Sequence, residues 1–225
     1  MLTKRLTAFA LLFMLAVSTV ALAQKADVAF VVGGSFVSDS NVVFAVPCLV
    51  PPCPATPTFL NNVKTDHHVF LEGALAVQLL NARIASLHVE LPVAGIPSQT
   101  LRISTATSPS TFFDHMSTTF VTPGLKLKLL PGSPISPFVM AGGGWAHFSL
   151  THGTTNKGAV QYGGGIDFKT GIPHLGFRGE VRDFVTGDPN FGLATVIAGG
   201  LSGKSIDTGL HRHNILAGGG IVLRF

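Results

Sequence analysis

The feature that most constrains this chain is a two-residue alternation of large apolar side chains with charged or small ones, repeated along the whole sequence after its first stretch. Leu175, Phe177 and Val181 alternate with Arg178, Glu180 and Arg182. Val160, Tyr162, Ile166 and Phe168 alternate with Gln161, Asp167 and Lys169. Val121, Leu125, Leu127 and Leu129 oppose Thr122, Lys126 and Lys128. Leu87, Val89, Leu91 and Val93 oppose His88 and Glu90, and Val69, Leu71, Leu75, Val77 and Leu79 oppose Glu72 and Gln78. A period of two puts each set on one face of a β-sheet. Helical periodicity is absent beyond the first 23 residues.

Turn signals divide the alternation into eight strands, placed at about 26–37, 66–80, 83–93, 111–130, 136–150, 158–169, 174–186 and 213–225. Asn81-Ala82, Pro131-Gly132-Ser133-Pro134 and Thr170-Gly171-Ile172-Pro173 read as tight turns. The other connections, 38–65, 94–109, 152–157 and 187–212, read as loops. Long and short connections therefore alternate, and the strand count is even. Bacterial outer-membrane barrels have this asymmetry, with short periplasmic turns and longer external loops. The expected fold is all-β: an eight-stranded antiparallel up-and-down transmembrane barrel with both ends of the chain at the periplasmic side.

Charge content supports that direction. Only 12% of the 225 residues are charged while 46% are hydrophobic, against about 25% charged in a typical soluble domain. A barrel facing lipid needs no polar coat, and closure satisfies every backbone group without water. Charges then point inward, where a narrow eight-stranded lumen is filled by side chains. Glu72, Glu90, Asp167 and Glu180 are expected to pair there with Lys126, Lys128, Arg178, Arg182 and Arg224, because a lone buried charge costs several kcal/mol. No aqueous pore is expected. The opposite direction, apolar side inward, would make a soluble, secreted ligand-binding barrel.

The first 23 residues read as a cleaved signal peptide. Lys4 and Arg5 form a basic start, an apolar run follows from Leu6, and Ala21-Leu22-Ala23 is a small-x-small cleavage pattern. The apolar run is shorter than the ~20 residues of a spanning helix. Residues 24–225 are then the barrel domain. Losing Lys4 and Arg5 takes the formal charge from +4 to +2, so basicity implies no nucleic-acid partner. Cys48 and Cys53, in PCLVPPCP, are expected to form a local loop disulfide in an oxidising compartment.

The segments PFVMAGGGWAHF (137–148), YGGGIDFKTGIPHLGFRGEVRDF (162–184) and HNILAGGGIVLRF (213–225) resemble the bacterial outer-membrane β-barrel family that includes the OmpA transmembrane domain and OmpX-like small barrels. The nearest pattern is the acidobacterial-style outer membrane protein β-barrel domain, in which Gly-Gly-Gly-φ-Asp is followed by Pro-His-φ-Gly-φ-Arg-Gly-Glu. The resemblance covers about the last ninety residues. It implies location in the cell outer membrane, contact with its lipids and lipopolysaccharide, and a monomer. It also implies that the ending Gly-x-φ-x-φ-x-Phe, closing on Phe225, is the signal read by the outer-membrane assembly machinery.

Chemistry is sparse. His67-His68 point to opposite faces of a strand. His211 and His213, with His152, form a weak metal candidate, and solvated rim histidines are the reading adopted. His115 and Ser117 share a face, as in lipid A deacylases with a His-Ser-Glu arrangement, but Glu90 and Glu180 read as inward. The Gly runs 142–144, 163–165 and 218–220 lack the strand-loop-helix context of a phosphate cradle and suit tight strand curvature. Trp145, Phe148, Phe177, Phe184 and Phe225 are candidates for interfacial aromatic girdles. The expected protein is not an enzyme, binds no cofactor or metal, and serves a structural or adhesive role through its external loops. A lipid A modifying enzyme of deacylase or acyltransferase type is the alternative.

Overall fold

A computed structural model describes residues 25–37, 40–45, 58–105, 108–150, 153–187, 204–205 and 211–225. The proposed leader, Cys48, Cys53 and His152 lie outside the described residues. The strands are β1 (Ala26–Val37), β2 (Ser40–Ala45), β3 (Thr58–Thr65), β4 (His68–Asn81), β5 (Ala85–Thr105), β6 (Ser108–Val121), β7 (Gly124–Leu129), β8 (Ile135–Leu150), β9 (Gly153–Lys169), β10 (Leu175–Gly187), β11 (Lys204–Ser205) and β12 (His211–Arg224).

Antiparallel pairing runs β1–β4–β5, then through β6 and β7 to β8, β9, β10 and β12, and returns to β1. β6 and β7 occupy one position in the wall, so this is a closed barrel of eight strands. Closure removes the free edges that would template aggregation. Among the described residues no helix is long and apolar enough to cross a membrane, which says nothing about a barrel. The wall is apolar outside: Phe30, Val69, Leu71, Leu125, Val139, Val160, Phe177 and Val181 each expose about half or more of their surface.

Four expectations need correction. The strand expected at 111–130 is interrupted at Thr122-Pro123. Pro123 has no N–H for the ladder, but its carbonyl accepts from Gly143 N at 3.1 Å. The segment 94–109, expected to be a loop, is strand almost throughout: β5 runs to Thr105 and pairs with β6 up to the Thr105–Ser108 pair. The expected loop 152–157 is likewise part of β9, with only residues 151–152 between the strands. Residues 38–65 contain β2 and β3, which extend the sheet from the far end of β5. These segments lack the regular apolar alternation that marks the rest of the wall, and so read as loops.

Both described termini and the short connections gather at one end, termed here the terminal end. Phe225 N donates to Ala26 O at 2.8 Å, Arg224 N to His174 O at 2.8 Å, and Leu130 N to Ile84 O at 2.8 Å. The other end is the distal end.

Two glycines show how a narrow wall accommodates large interior rings. A Cβ on Gly218 would meet the backbone of Val32 and the Phe70 ring, and one on Gly165 would meet the backbone of β10 and the Phe138 ring. Overpacking of this kind costs about 1–3 kcal/mol even where the surroundings yield, and backbone yields least. Gly218→Val and Gly165→Val should therefore leave little folded barrel after refolding into detergent. Gly179→Ala, whose Cβ would meet nothing within 4 Å, should refold like the parent. The folded fraction is read from the mobility shift of unboiled samples on gels.

Candidate functional site

The inward side chains form three layers along the barrel axis. The ionic layer lies nearest the terminal end. At its centre Arg182, from β10, reaches Glu90 at 2.6 Å, Glu72 at 2.8 Å and Glu180 at 3.0 Å, and donates to Gln161 at 3.2 Å. Arg178 is held by both oxygens of Asp167, at 2.8 and 3.3 Å. Lys126 pairs with Glu90. Lys128 bridges Asp27 at 2.9 Å and Asp167 at 2.7 Å, and Arg224 approaches Asp167 at 3.6 Å. Lys126 and Arg178 also stand over the Phe138 ring, 5.6 and 4.8 Å from its centroid.

The nine ionic residues singled out from sequence thus meet in one network, joined by Asp27, which the sequence reading missed. With Asp27 the network contains five carboxylates and five cations. The omission has a physical origin. Asp27 shares its inward face with Ala29 and Val31, while Val28, Phe30 and Val32 face outward. Both faces of β1 are apolar, so alternation gave no contrast there.

The middle layer is apolar, where a polar interior was anticipated. Phe120 stacks on Phe184 at 4.4 Å and meets Phe148 edge-on at 6.4 Å. Phe70, Ile96, Met116 and Leu216 complete this plug, all buried. Phe148 and Phe184 are therefore interior residues, not girdle residues. Their positions have inward parity, and the glycines and alanines around them make the room. Trp145, Phe177 and Phe225 do face outward, each more than half exposed. The distal layer is polar again: Thr118 donates to Gln99 at 3.1 Å, and Asn214 donates to the Phe184 carbonyl at 3.2 Å.

The chemistry candidates are dispersed. His115 and Ser117 have outward parity on β6, whereas Glu90 and Glu180 are buried on the opposite side of the wall, so these residues do not assemble a triad. His67 lies against Phe36, ring centroids 5.0 Å apart, and His68 Nε2 accepts from Thr100 N at 3.0 Å. His213 donates to Asp183 at 2.6 Å, and the Tyr162 hydroxyl donates to the same oxygen at 2.8 Å. This outward polar cluster joins three adjacent strands at the distal margin of the apolar belt. The described residues contain no group of three or more His, Cys, Asp or Glu able to hold a metal.

At the terminal end the lumen opens into a cavity of about 570 Å³. Its floor is the ionic layer, and its wall includes Asp27, Ser86, His88, Lys128 and Arg224.

The layering gives a graded expectation. Arg182→Met would strand Glu72 and leave Glu90 and Glu180 to Lys126 and Arg178 alone, and should cost about 3–5 kcal/mol. Arg224→Met removes a longer, part-exposed pair and should cost under about 1 kcal/mol. Urea unfolding of the barrel in lipid vesicles separates the two.

No protein-family model matches the chain, and no curated protein sequence does. Among solved structures, the outer membrane protein OprG from Pseudomonas aeruginosa is similar at a TM-score of 0.54 and 11% identity, over 90% of this chain and 96% of that one. Neisserial surface protein A is matched at a TM-score of 0.45 and 11% identity, over 89% and 97%. The closed eight-stranded wall, the apolar outer face and the likeness to OprG agree: the chain has the fold of the small outer-membrane β-barrels.

Proposed function

We propose that this is an outer-membrane protein, exported by a leader spanning 1–23, whose sealed barrel anchors a β-sheet surface outside the cell, with a structural or adhesive role. The terminal end then faces the periplasm and the distal end the exterior. The observation that carries this reading is the filled lumen. An ion-paired layer and an aromatic plug close the lumen to through-passage, so a structural or adhesive role falls to the distal surface. A strand crosses a bilayer in about 9–11 residues, yet β5 has 21 and β9 has 17. The surplus, together with β2 and β3, supplies a continuous sheet outside the lipid belt, suited to contact with another surface. The fold shared with OprG favours the outer membrane as the location.

Outward apolar residues and inward ions argue against a soluble ligand-binding barrel, which needs the reverse. Separation of His115 and Ser117 from the buried glutamates argues against a deacylase of the His-Ser-Glu kind. No feature of the ionic network calls for a cofactor.

Several measurements decide these points. The protein should fractionate with outer membranes, and recovery in the periplasm would overturn the reading. Planar bilayers containing the folded barrel should show no stable conductance steps. Mass spectrometry of lipid A should be the same for the parent and for His115→Ala and Ser117→Ala, since any change in acylation would restore the enzyme alternative. Deleting Phe225 removes the last ladder pair with Ala26 and an outward ring at the rim. Surface assembly should fall several-fold, read by immunoblot of outer-membrane fractions.

A further inference from the structure

The cavity at the terminal end is more than the open mouth of a barrel. Five cationic side chains line it, from Lys25, Arg83, Lys128, Lys169 and Arg224, against one side-chain carboxylate, that of Asp27. Lys128, Arg224 and Asp27 belong to the network beneath, so the excess is Lys25, Arg83 and Lys169, three charges, or two against a free carboxylate on Phe225. The network beneath is balanced, so the excess belongs to the mouth alone.

The cations divide into two groups. Lys128 and Arg224 are committed to carboxylates of the network. Lys25, Arg83 and Lys169 have no carboxylate of the described residues within ion-pair reach. Lys169 bonds only a backbone carbonyl, that of Gly132 at 2.9 Å, and stands in the repulsive field of Arg224, Lys128 and Lys25. The three come from separate parts of the chain: the residue before β1, the β4–β5 turn and the end of β9. Like charges brought together without counter-charges oppose assembly unless something anionic joins them.

A second, independent observation points to the same ligand chemistry. His88 lines the cavity and is only 4% exposed. Its Nε2 shares a hydrogen bond of 2.9 Å with Ser86 Oγ, and its Nδ1 has no partner. With Ser86 as the donor to Nε2, the ring proton sits on Nδ1, a buried donor beside the cavity that a turn of the ring would present to an anion there. A buried donor without a partner costs about 1–3 kcal/mol, which a bound acceptor removes.

We propose that the terminal cavity binds a phosphate-class anion, held by Lys25, Arg83 and Lys169 at the rim and by His88 at the floor. Two sources present this chemistry: a small soluble phosphate compound, and the headgroup of an anionic phospholipid in the adjoining leaflet. The site rests on the functional reading above only for the compartment that supplies the anion.

The test uses the full barrel refolded in a non-ionic detergent, with inorganic pyrophosphate as the soluble probe and calorimetry as the readout. Nanodiscs of zwitterionic lipid with and without phosphatidylglycerol form the second arm, read by the side-chain signals of labelled histidine. Saturable pyrophosphate binding that weakens with salt identifies a soluble anion. A His88 signal shift that appears only with phosphatidylglycerol identifies the headgroup. In either arm, Arg83→Glu with Lys169→Glu should weaken binding about tenfold or more, the loss expected for charge-assisted contacts. These rim residues lie outside the buried network, so the gel-mobility shift should be unchanged. His88→Phe, which removes the donor and keeps the ring, should also weaken binding. Failure of both probes to bind saturably, or equal binding by parent and charge-reversed protein, overturns the proposal. Protease accessibility of the two ends in whole cells is independent. If the terminal end proves external while pyrophosphate still binds, the site stands and only the orientation falls.

Discussion

Charge balance inside a closed wall is the constraint on which the rest of this structure depends. Ten ionic groups meet inside the wall, all but Arg224 almost wholly shielded from water, and nearly all of them pair with a group on another strand. Arg182 on β10 satisfies Glu72 on β4 and Glu90 on β5 across the lumen. Lys128 on β7 ties Asp27 on β1 to Asp167 on β9. Such contacts tie together strands that are not neighbours in the wall. The network therefore specifies register as well as filling space. A shift of one residue in any strand would send its ions to the apolar outside and its aliphatics to the ionic interior.

That arrangement also explains why the interior divides into layers. Ionic side chains are long and demand mutual contact, so they concentrate in one layer, where each can reach a partner across the lumen. Beyond them, toward the distal end, the same inward parity carries Phe70, Phe120, Phe148 and Phe184. An aromatic layer next to an ionic one is stable in a barrel for a simple reason. Neither layer has to exchange with water, and ring faces can meet cations, as Phe138 does with Lys126 and Arg178.

The strand count, the pairing order and the direction of the wall were legible in the sequence, because an apolar outer face around an ionic interior forces alternation and tight turns punctuate it. Legibility failed wherever one of those pressures was missing. Asp27 lies on a strand whose two faces are both apolar, so no contrast marked it. Phe148 and Phe184 carry the residue type of a girdle, and only their parity relative to Ala146 and Arg182 places them inside. The extensions of β5, β6 and β9 lie past the belt and show only weak apolar alternation. Gln99, Thr100 and Arg102 in β5 read as a polar loop until their partners on β3 and β6 are known. Side-chain pairing across the lumen, such as Lys128 with Asp27 at a separation of 101 residues, leaves no local trace.

The balanced core and the unbalanced mouth answer to different pressures, and the difference bears on function. An excess cation in the core would cost several kcal/mol and would be lost to any competing sequence that paired it. At the mouth, water and salt screen an excess cation at little cost, so stability alone does not arrange three uncommitted cations around a buried imidazole. Lys25, Arg83 and Lys169 could each be neutral without opening the barrel, since none touches the network. Their convergence from three separate segments is thus a property that packing does not require. A feature that packing does not require, located where the lumen meets solvent, is where a ligand would be recognised.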